Sequence, residues 1–179
     1  PSSSPLVTDK LEVTVMKTGY VTEIMHSLKP GAYMGIRGPY GRGYPVEKFF
    51  GKEVIILGGG CGLAPIRSLL YALEHINDKL KKVVLCYGSK TPSDCVYKPL
   101  FGRLNKIDKF ETHLTVDKPD EEWAGSVGVV TNLLSKVRIN IENSIAVVCG
   151  PPIMMKFGTI RLLEMGYNGD QIYLSMEKN

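Results

Sequence analysis

From residue 50 onward, short apolar segments alternate with segments that have helical periodicity. The segments with strand character cover 53–57, 83–87, 110–116, 145–149 and 171–175. The segments with helical character cover 64–77, 98–107, 128–134 and 153–165. Continuously apolar strands that alternate with helices are typical of a parallel sheet covered on both faces. The pattern therefore predicts an α/β fold with a doubly wound parallel sheet.

The first 47 residues follow a different pattern. Residues 11–16 alternate apolar and polar side chains, as a half-buried strand does, and residues 32–38 form a second short candidate strand. Between them we expect a short helix that is capped at Thr22 and ends at Pro30-Gly31. The glycine- and proline-rich loop 38–45 is the best candidate for a boundary. We therefore expect two domains, residues 1–47 and residues 48–179.

Composition and charge argue against several classes of function. The chain has 179 residues, a formal net charge of +4 and no long basic run, which argues against nucleic-acid binding. Its longest apolar runs are too short to span a bilayer, and its first residues do not form a signal-peptide pattern. The four cysteines contain no Cys-x-x-Cys pair, and the three histidines lack metal-ligand spacing. We expect a reduced, cytoplasmic protein without a membrane partner and without a metal site in this chain.

In a doubly wound sheet, ligands bind beyond the carboxyl ends of the strands. The first such end is a glycine-rich turn that consists of Gly58, Gly59, Gly60, Cys61, Gly62, Leu63, Ala64 and Pro65. Glycines expose backbone N–H groups, and the start of the next helix adds positive partial charge, so this turn can bind a phosphate or a pyrophosphate. The alternative is a sharp strand–helix turn that simply needs small residues. No Lys-Ser/Thr pair follows the glycines, which excludes a Walker-type triphosphate site.

The other strand ends carry further candidates for ligand binding. They are Gly88, Ser89 and Lys90, then Asp117, and finally Cys149, Gly150, Pro151, Pro152 and Met154. A standard NAD site has Asp or Glu at the second strand end, where this chain has Ser89 and Lys90. Lys90 either binds the 2′-phosphate of NADP or is a solvated loop charge. Cys149 either packs at the end of its strand or faces a ligand. Paired carboxylates and a Ser–His–Asp arrangement are missing at the strand ends, which argues against hydrolysis.

Four motifs in order resemble the ferredoxin–NADP reductase superfamily. They read GGGCGLAP, YGSKTPSD, TVDKPDEEWAGSVGVVT and CGPPIMM. The chain is most similar to the gamma, or diaphorase, subunits of cytoplasmic sulfhydrogenases and related anaerobic sulfite reductases, and the similarity covers nearly its whole length. The resemblance implies an NAD(P)H-dependent flavin oxidoreductase that exchanges electrons with FAD and iron–sulfur partners, either other redox subunits or ferredoxin. The electron-transfer subunit of dihydroorotate dehydrogenase and a non-catalytic nucleotide-sensing module are the alternatives.

The resemblance also implies roles for individual residues. Residues 58–65 would bind the pyrophosphate of NAD(P)H, residues 88–90 would lie near the adenosine ribose, and Cys149 with Gly150 would lie beside the nicotinamide. Residues 1–47 would be part of an antiparallel flavin-binding β-barrel. Its weaker FAD contacts would come from Ser4, Gly19, Tyr20, Val21 and Thr22.

The resemblance implies that two parts of the expected redox machinery are incomplete in this chain. The first barrel strands are expected to be missing, so the FAD site is expected to be incomplete. Relatives continue after the segment 174–177 into a cysteine run that binds a two-iron, two-sulfur cluster, so this cluster is expected only in a full-length parent. The preference between NAD and NADP and the terminal electron acceptor stay open.

Overall fold

The computed structural model describes residues 1–38 and 40–176. The α-helices are α1 (Tyr20–Ser27), α2 (Leu63–His75), α3 (Lys98–Leu104) and α4 (Pro152–Glu164). The strands are β1 (Glu53–Gly59), β2 (Lys82–Ser89), β3 (Phe110–Val116), β4 (Ser126–Val127), β5 (Ser144–Cys149) and β6 (Ile172–Ser175). Pro39 in the predicted boundary loop and Glu177 at the end of the segment 174–177 lie outside the described residues.

The six strands form one parallel sheet in the order β4-β3-β2-β1-β5-β6. The central strand β1 is almost wholly buried, because its run of Val, Ile and Leu is covered on both faces. Successive side chains of β1 enter opposite layers, with Val54 and Ile56 on one face and Ile55 and Leu57 on the other. The predicted doubly wound parallel sheet is confirmed.

Each face of the sheet is covered by its own helices. On one face, α2 contributes Ile66, Leu69, Leu70 and Leu73, whose spacing places them on a single side of the helix, and α3 packs beside it. On the other face, α4 and a 3₁₀ helix at Val130–Lys136 contribute residues such as Leu162 and Leu133. The two layers hold β1 and β5 between them, so both faces of these strands are packed up to their carboxyl ends.

Two predicted helices differ in the structure. The predicted helix over 128–134 is instead the 3₁₀ helix Val130–Lys136. Gly128 has a φ of +113°, which no right-handed helix accommodates, and β4 pairs with β3 just before it. The predicted helix over 98–107 ends at Leu104, where the following residues turn back toward β3.

The strands predicted over 11–16 and 32–38 do not form, which corrects those predictions. A strand needs a partner for its backbone groups. Across residues 1–38 and 40–45, the structure describes local turns and a backbone bond from the N–H of Ser2 to the carbonyl of Glu12, but no ladder. The apolar side chains Leu11 and Met16 are more than half exposed. The alternating pattern was real, but in this chain it buries no face.

The N-terminal segment nevertheless contacts the sheet domain through side chains of residues 12–14. The Arg67 guanidinium on α2 pairs with the Glu12 carboxylate at 2.8 Å and lies over the Tyr97 ring, 4.6 Å from its centroid. The Thr14 hydroxyl contacts the Tyr97 hydroxyl. These contacts fix residues 12–14 beside α2 and α3.

The short helix between the two predicted strands is present, with a different start. It begins at Tyr20 rather than after a cap at Thr22. The Thr22 hydroxyl instead accepts hydrogen bonds from the N–H groups of Thr18 and Gly19, both at 2.9 Å. Thr22 therefore stabilises the helix start from within its first turn.

Candidate functional site

The carboxyl ends of β1 and β5 lie where the direction of chain crossover reverses. The chain moves outward from β1 through β2, β3 and β4, and then returns to β5 on the other side of β1. Gly58 of β1 and Cys149 of β5 are neighbours in the sheet register. Loops that leave adjacent strands in opposite directions open a crevice, and ligands of doubly wound sheets bind in it.

Two glycines in the turn after β1 meet different constraints. Gly60 has a φ of +53°, which side chains other than glycine rarely adopt. A Cβ at Gly62 would lie 2.6 Å from the carbonyl oxygen of Cys149 and 2.7 Å from the Cα of Gly150. Gly62 therefore allows the turn after β1 to touch the turn after β5. The two turns form one continuous backbone surface at the crevice.

Tyr87 on β2 supports the same turn. Its hydroxyl donates a hydrogen bond to the Gly60 carbonyl at 3.1 Å. Burial raises the pKa of Tyr87 to about 12, and a hydrogen bond from the backbone of Val96 opposes that shift only in part. The hydroxyl therefore stays protonated and remains a donor, which fixes the orientation of the peptide after Gly60.

Ser89 and Lys90 have different surroundings at the end of β2. The Ser89 hydroxyl is buried, donates to the Thr91 carbonyl at 2.9 Å and contacts the Cys95 thiol at 2.9 Å. These contacts engage it inside the protein. The Lys90 side chain is exposed at the surface of a cleft. Of the two, Lys90 is the side chain that can reach a ligand.

Asp117 lies beside Lys90 because the backbone ladder between β2 and β3 continues past the strand ends. The N–H of Asp117 donates to the Ser89 carbonyl at 3.1 Å, and the N–H of Lys118 donates to the Lys90 carbonyl at 2.8 Å. Asp117 and Lys90 are both exposed at the same cleft. A carboxylate can accept hydrogen bonds from sugar hydroxyls, and an ammonium can bind a phosphate.

Met154, rather than Cys149, forms the surface over the β1–β5 crevice. Cys149 is the last residue of β5 and is only 6% exposed. The Met154 sulfur lies directly against the position that a Cβ at Gly59 would occupy, and its methyl group approaches Gly150. Met154 reaches this place because α4 begins at Pro152, immediately after the turn.

One cleft of about 890 Å³ joins these strand ends, a size typical of small-molecule sites. Of the sequence-predicted residues, it is lined by Gly59, Gly60, Gly88, Ser89, Lys90, Asp117, Pro151 and Met154. The predicted residues that do not line it are Gly58, Cys61, Gly62, Leu63, Ala64, Pro65, Cys149, Gly150 and Pro152. All of these residues lie in the loops that follow β1 and β5, at the ends of those two strands, or at the starts of α2 and α4. Their contacts with a ligand stay predictions.

The cleft also has walls that the sequence analysis missed. One wall is the segment with Val129, Val130, Thr131, Asn132 and Ser135. The other is a face of α4 with Ile153, Phe157, Ile160, Arg161 and Glu164. The α4 residues recur at intervals of three and four, so they share one helix face. A signal was present in the sequence: α4 is apolar on this face in addition to its core face with Met155 and Leu162.

The residues predicted to contact FAD do not line this cleft. Tyr20 and Val21 lie in the exposed first turn of α1, and the Ser4 hydroxyl accepts the Leu6 N–H at 3.3 Å. The first N–H groups of a helix have no acceptor within it, so this turn presents donors to the outside. The FAD contacts of Ser4, Gly19, Tyr20, Val21 and Thr22 stay predictions.

Among residues 1–38 and 40–176, none of the helices combines the length and the apolar character needed to cross a membrane. In the same part of the chain, no three side chains of His, Cys, Asp or Glu are grouped so that they could hold a metal ion.

Comparisons with known proteins agree with this architecture. The family model described as "Oxidoreductase NAD-binding domain" matches residues 56–159. The gamma subunit of sulfhydrogenase 2 from Pyrococcus furiosus is 33% identical over 94% of this chain and 62% of its own length. The gamma subunit of sulfhydrogenase 1 from the same organism is 28% identical over 98% of this chain and 61% of its own length. The chain thus spans about three-fifths of the length of these curated relatives.

Solved structures show the same fold. The cytochrome b5 reductase domain of Ulva prolifera nitrate reductase is similar with a TM-score of 0.75 and 26% identity, over 88% of this chain and 66% of that one. A ferredoxin NADP+ reductase from Neisseria gonorrhoeae, with bound FAD and NADP, is similar with a TM-score of 0.71 and 20% identity, over 89% of this chain and 70% of that one. The second likeness concerns the fold alone.

Proposed function

The chain belongs to the oxidoreductase NAD-binding domain family. We therefore propose that it is the NAD(P)H-binding module of a flavin-dependent reductase. The observation that carries the proposal is the single cleft in which the glycine turn after β1, the end of β2, Asp117 and the turn after β5 meet. The relatives named above are hydrogenase subunits and reductases. By analogy, this module would exchange electrons between NAD(P)H, FAD and iron–sulfur partners, either other redox subunits or ferredoxin. A cytoplasmic location stays part of the proposal.

The cleft fits a dinucleotide at its strand-end side. Apart from the adjoining residues of the chain, a Cβ at Gly60 would meet nothing within 4 Å, so the space over this glycine is open. The helix α2 begins directly after the turn and favours negative charge at its start. The pyrophosphate would therefore lie on residues 59–62, with a ribose toward Lys90 and Asp117. This arrangement is the one that the resemblance to the reductase superfamily implied.

The protein's own contribution to the reaction is position and the exclusion of water. When bound, NAD(P)H would supply a hydride, which is two electrons with a proton, and FAD would supply the means to pass the two electrons on one at a time. Cys149 lies at the buried end of β5, where it would position the nicotinamide without reacting itself. The Tyr44 side chain is half-buried, and burial raises the pKa of its hydroxyl, so that hydroxyl stays protonated. Residues 1–47 would supply the flavin side, with α1 toward the FAD pyrophosphate.

Titration of the chain with NADH and NADPH tests the proposal, with Gly60→Val as the decisive variant. At a φ of +53°, valine is strained, and its side chain would project into the open space over the turn. We expect nucleotide binding to become undetectable in this variant. Gly31→Val is the matched control, because Gly31 also has a positive φ and open surroundings but lies outside the cleft.

The two variants separate loss of binding from loss of stability. Both should be destabilised by about 1–2 kcal/mol because of backbone strain, and Gly31→Val should bind nucleotide as the unsubstituted chain does. Unchanged affinity in Gly60→Val would remove the turn from the site. A separate titration with FAD, monitored by visible absorbance, tests whether the chain binds the flavin. Reduction of an artificial acceptor then tests the proposed reductase activity. Nucleotide binding without any flavin-dependent reduction would favour a sensing module.

A further inference from the structure

The Arg67 guanidinium on α2 lies at the centre of a cluster that joins two distant parts of the chain. Its Nε donates a hydrogen bond to the Tyr71 hydroxyl at 3.1 Å. The guanidinium carbon lies 5.2 Å from the centroid of the Tyr71 ring and 4.6 Å from the centroid of the Tyr97 ring. Contact with two aromatic rings and a hydrogen bond hold the planar guanidinium in one orientation. In this orientation its Nη1 pairs with the Glu12 carboxylate at 2.8 Å.

Two further features indicate that the folded sheet domain itself fixes this orientation. Tyr97 has a φ of +56°, which bulky side chains rarely adopt, and such strain persists only where the surroundings stabilise it. The Arg103 guanidinium on α3 also lies 5.2 Å from the centroid of the Tyr71 ring, and it binds the Glu74 carboxylate at 2.6 and 2.7 Å. The place that receives Glu12 is therefore formed in advance by α2 and α3, so the ion pair requires little further ordering of the arginine.

The segment that carries Glu12 is not held in place by burial of apolar side chains. Leu11 is 54%, Val13 46% and Met16 57% exposed. The ion pair itself is only partly shielded from water, because the Arg67 side chain is 20% and the Glu12 side chain 45% exposed. Interactions between solvent-exposed charges weaken as the salt concentration rises. The attachment of this segment therefore depends on a contact that salt can loosen.

We propose that residues 11–16 form a strap that Arg67 latches onto the sheet domain, and that salt opens the latch. When the latch is closed, the strap lies beside α2, the helix that begins at the glycine turn of the cleft. When it is open, the strap leaves α2 and α3 without disturbing the sheet, because residues 11–16 belong to neither hydrophobic layer. This inference concerns the position of the N-terminal segment rather than the ligands of the cleft, so it goes beyond the proposed function.

Limited proteolysis with trypsin measures how often the strap is released. Lys10 and Lys17 flank the strap and are exposed, so both are trypsin sites. Cleavage follows the population of the open form when opening and closing are fast relative to cleavage. Arg138 is exposed and lies outside the helices and strands, at the other end of the chain. Cleavage after Arg138 is therefore the internal reference, which corrects for any effect of salt on trypsin itself.

The variants are Arg67→Ala, Glu12→Ala and the double variant, and Arg103→Ala is the matched control. Arg103 contacts the same tyrosine as Arg67 and forms an ion pair of its own, but its partners Tyr71 and Glu74 lie on α2 rather than on the strap. Circular dichroism and thermal midpoints check that each variant is folded. Glu12 lies on the surface, so Glu12→Ala decides the test if Arg67→Ala does not fold.

We expect cleavage after Lys10 and Lys17 to become about fivefold faster, relative to the reference, in Arg67→Ala and in Glu12→Ala. The double variant should be cleaved at the same rate as either single variant, because both substitutions remove one shared interaction. Arg103→Ala should be cleaved as the unsubstituted chain is. In about 1 M sodium chloride, where charges are screened beyond about 3 Å, the unsubstituted chain should approach the variants, and the variants should not change.

Three results would overturn the latch. The first is an unchanged cleavage rate in both single variants. The second is an equal acceleration in Arg103→Ala, which would mean that the cluster only stabilises α2 and α3. The third is a double variant in which the two effects add, since the two side chains would then act independently. Titration with NADH and NADPH is a separate readout, so failure to bind nucleotide would refute the proposed function and leave the latch standing.

Discussion

Replacement of Gly62 by alanine tests the idea that the two turns at the crevice touch through bare backbone. The new Cβ would lie 2.6–2.8 Å from three atoms: the carbonyl oxygen and carbon of Cys149 and the Cα of Gly150. All three atoms are backbone, so none can rotate away. An ordinary contact begins near 3.4 Å, so the turns after β1 and β5 would have to separate by roughly 0.8 Å.

The magnitude follows from two opposing effects. Overpacking of this kind costs about 1–3 kcal/mol, and contact with backbone places it at the upper end. Gly62 already has φ −61° and ψ −12°, which alanine adopts readily. Alanine also restricts the unfolded chain more than glycine does, and this effect stabilises the folded protein by about 0.4–1 kcal/mol. We expect a net loss of about 2 kcal/mol in the free energy of unfolding, which corresponds to about 4–8 °C in the thermal midpoint.

Urea unfolding followed by circular dichroism measures this loss, and Gly102→Ala is the control. Gly102 lies inside α3, where a Cβ meets nothing within 4 Å. The same chemical change should therefore stabilise the protein there by about 0.5–1 kcal/mol. A Gly62→Ala protein as stable as the unsubstituted one would refute the close approach of the two turns, because alanine's effect on the unfolded chain alone is favourable.

Two further predictions concern the cleft and the core. We expect Lys90→Ala to weaken NADPH binding by about tenfold and to leave NADH binding unchanged. Lys90 is the exposed cation at the end of β2, and a hydrogen bond to a charged phosphate contributes about 1.5–3 kcal/mol. If titrations show equal NADPH affinity for both proteins, Lys90 is only a solvated charge. In thiol labelling followed by mass spectrometry, the exposed Cys61 should react long before Cys86, because burial raises the pKa of the Cys86 thiol to about 12. Folding raises the pKa of the Cys86 thiol from 9.0 to about 12. The stability that the buried, protonated thiol contributes is therefore fully present below pH 9 and is lost as the pH rises toward 12. Labelling of Cys86 at the rate of Cys61 in the folded protein would contradict its burial.

Five of the six strands of the sheet could be predicted because each carries its own signal, whereas the two-residue strand β4 was not predicted. Residues 110–116 and 145–149 were identified to within a residue of the observed β3 and β5. Their apolar side chains enter two layers, so the sequence had to be apolar at consecutive positions. Glycine-bearing turns after β1, β2 and β5 marked three of the strand ends, whereas β3 is followed by Asp117 and Lys118.

The N-terminal segments show where such signals are insufficient. Residues 11–16 alternate as a strand does, yet a strand forms only when another segment satisfies its N–H and C=O groups. Residues 128–134 carry the apolar spacing of a helix. Because Gly128 has a positive φ and β4 pairs with β3 just before it, the helix begins only at Val130 and is a 3₁₀ helix. The periodicity of a short segment does not indicate which distant residues will contact it.

The chain's sequence was enough to establish the parallel sheet, the positions of five of its strands along the chain and the glycine-bearing turns at three of their carboxyl ends, because burial and glycine geometry are local demands on residue type. The order of the strands within the sheet came only from the tertiary structure. It could not establish which side chains share a surface. Ser89 and Lys90 are adjacent in sequence, yet packing turns Ser89 inward to Thr91 and Cys95 and leaves Lys90 at the cleft. Phe157 became part of the cleft for a related reason. Its place depends on where α4 crosses the sheet and on the 3₁₀ helix beside it, and these follow from the packing of the whole domain.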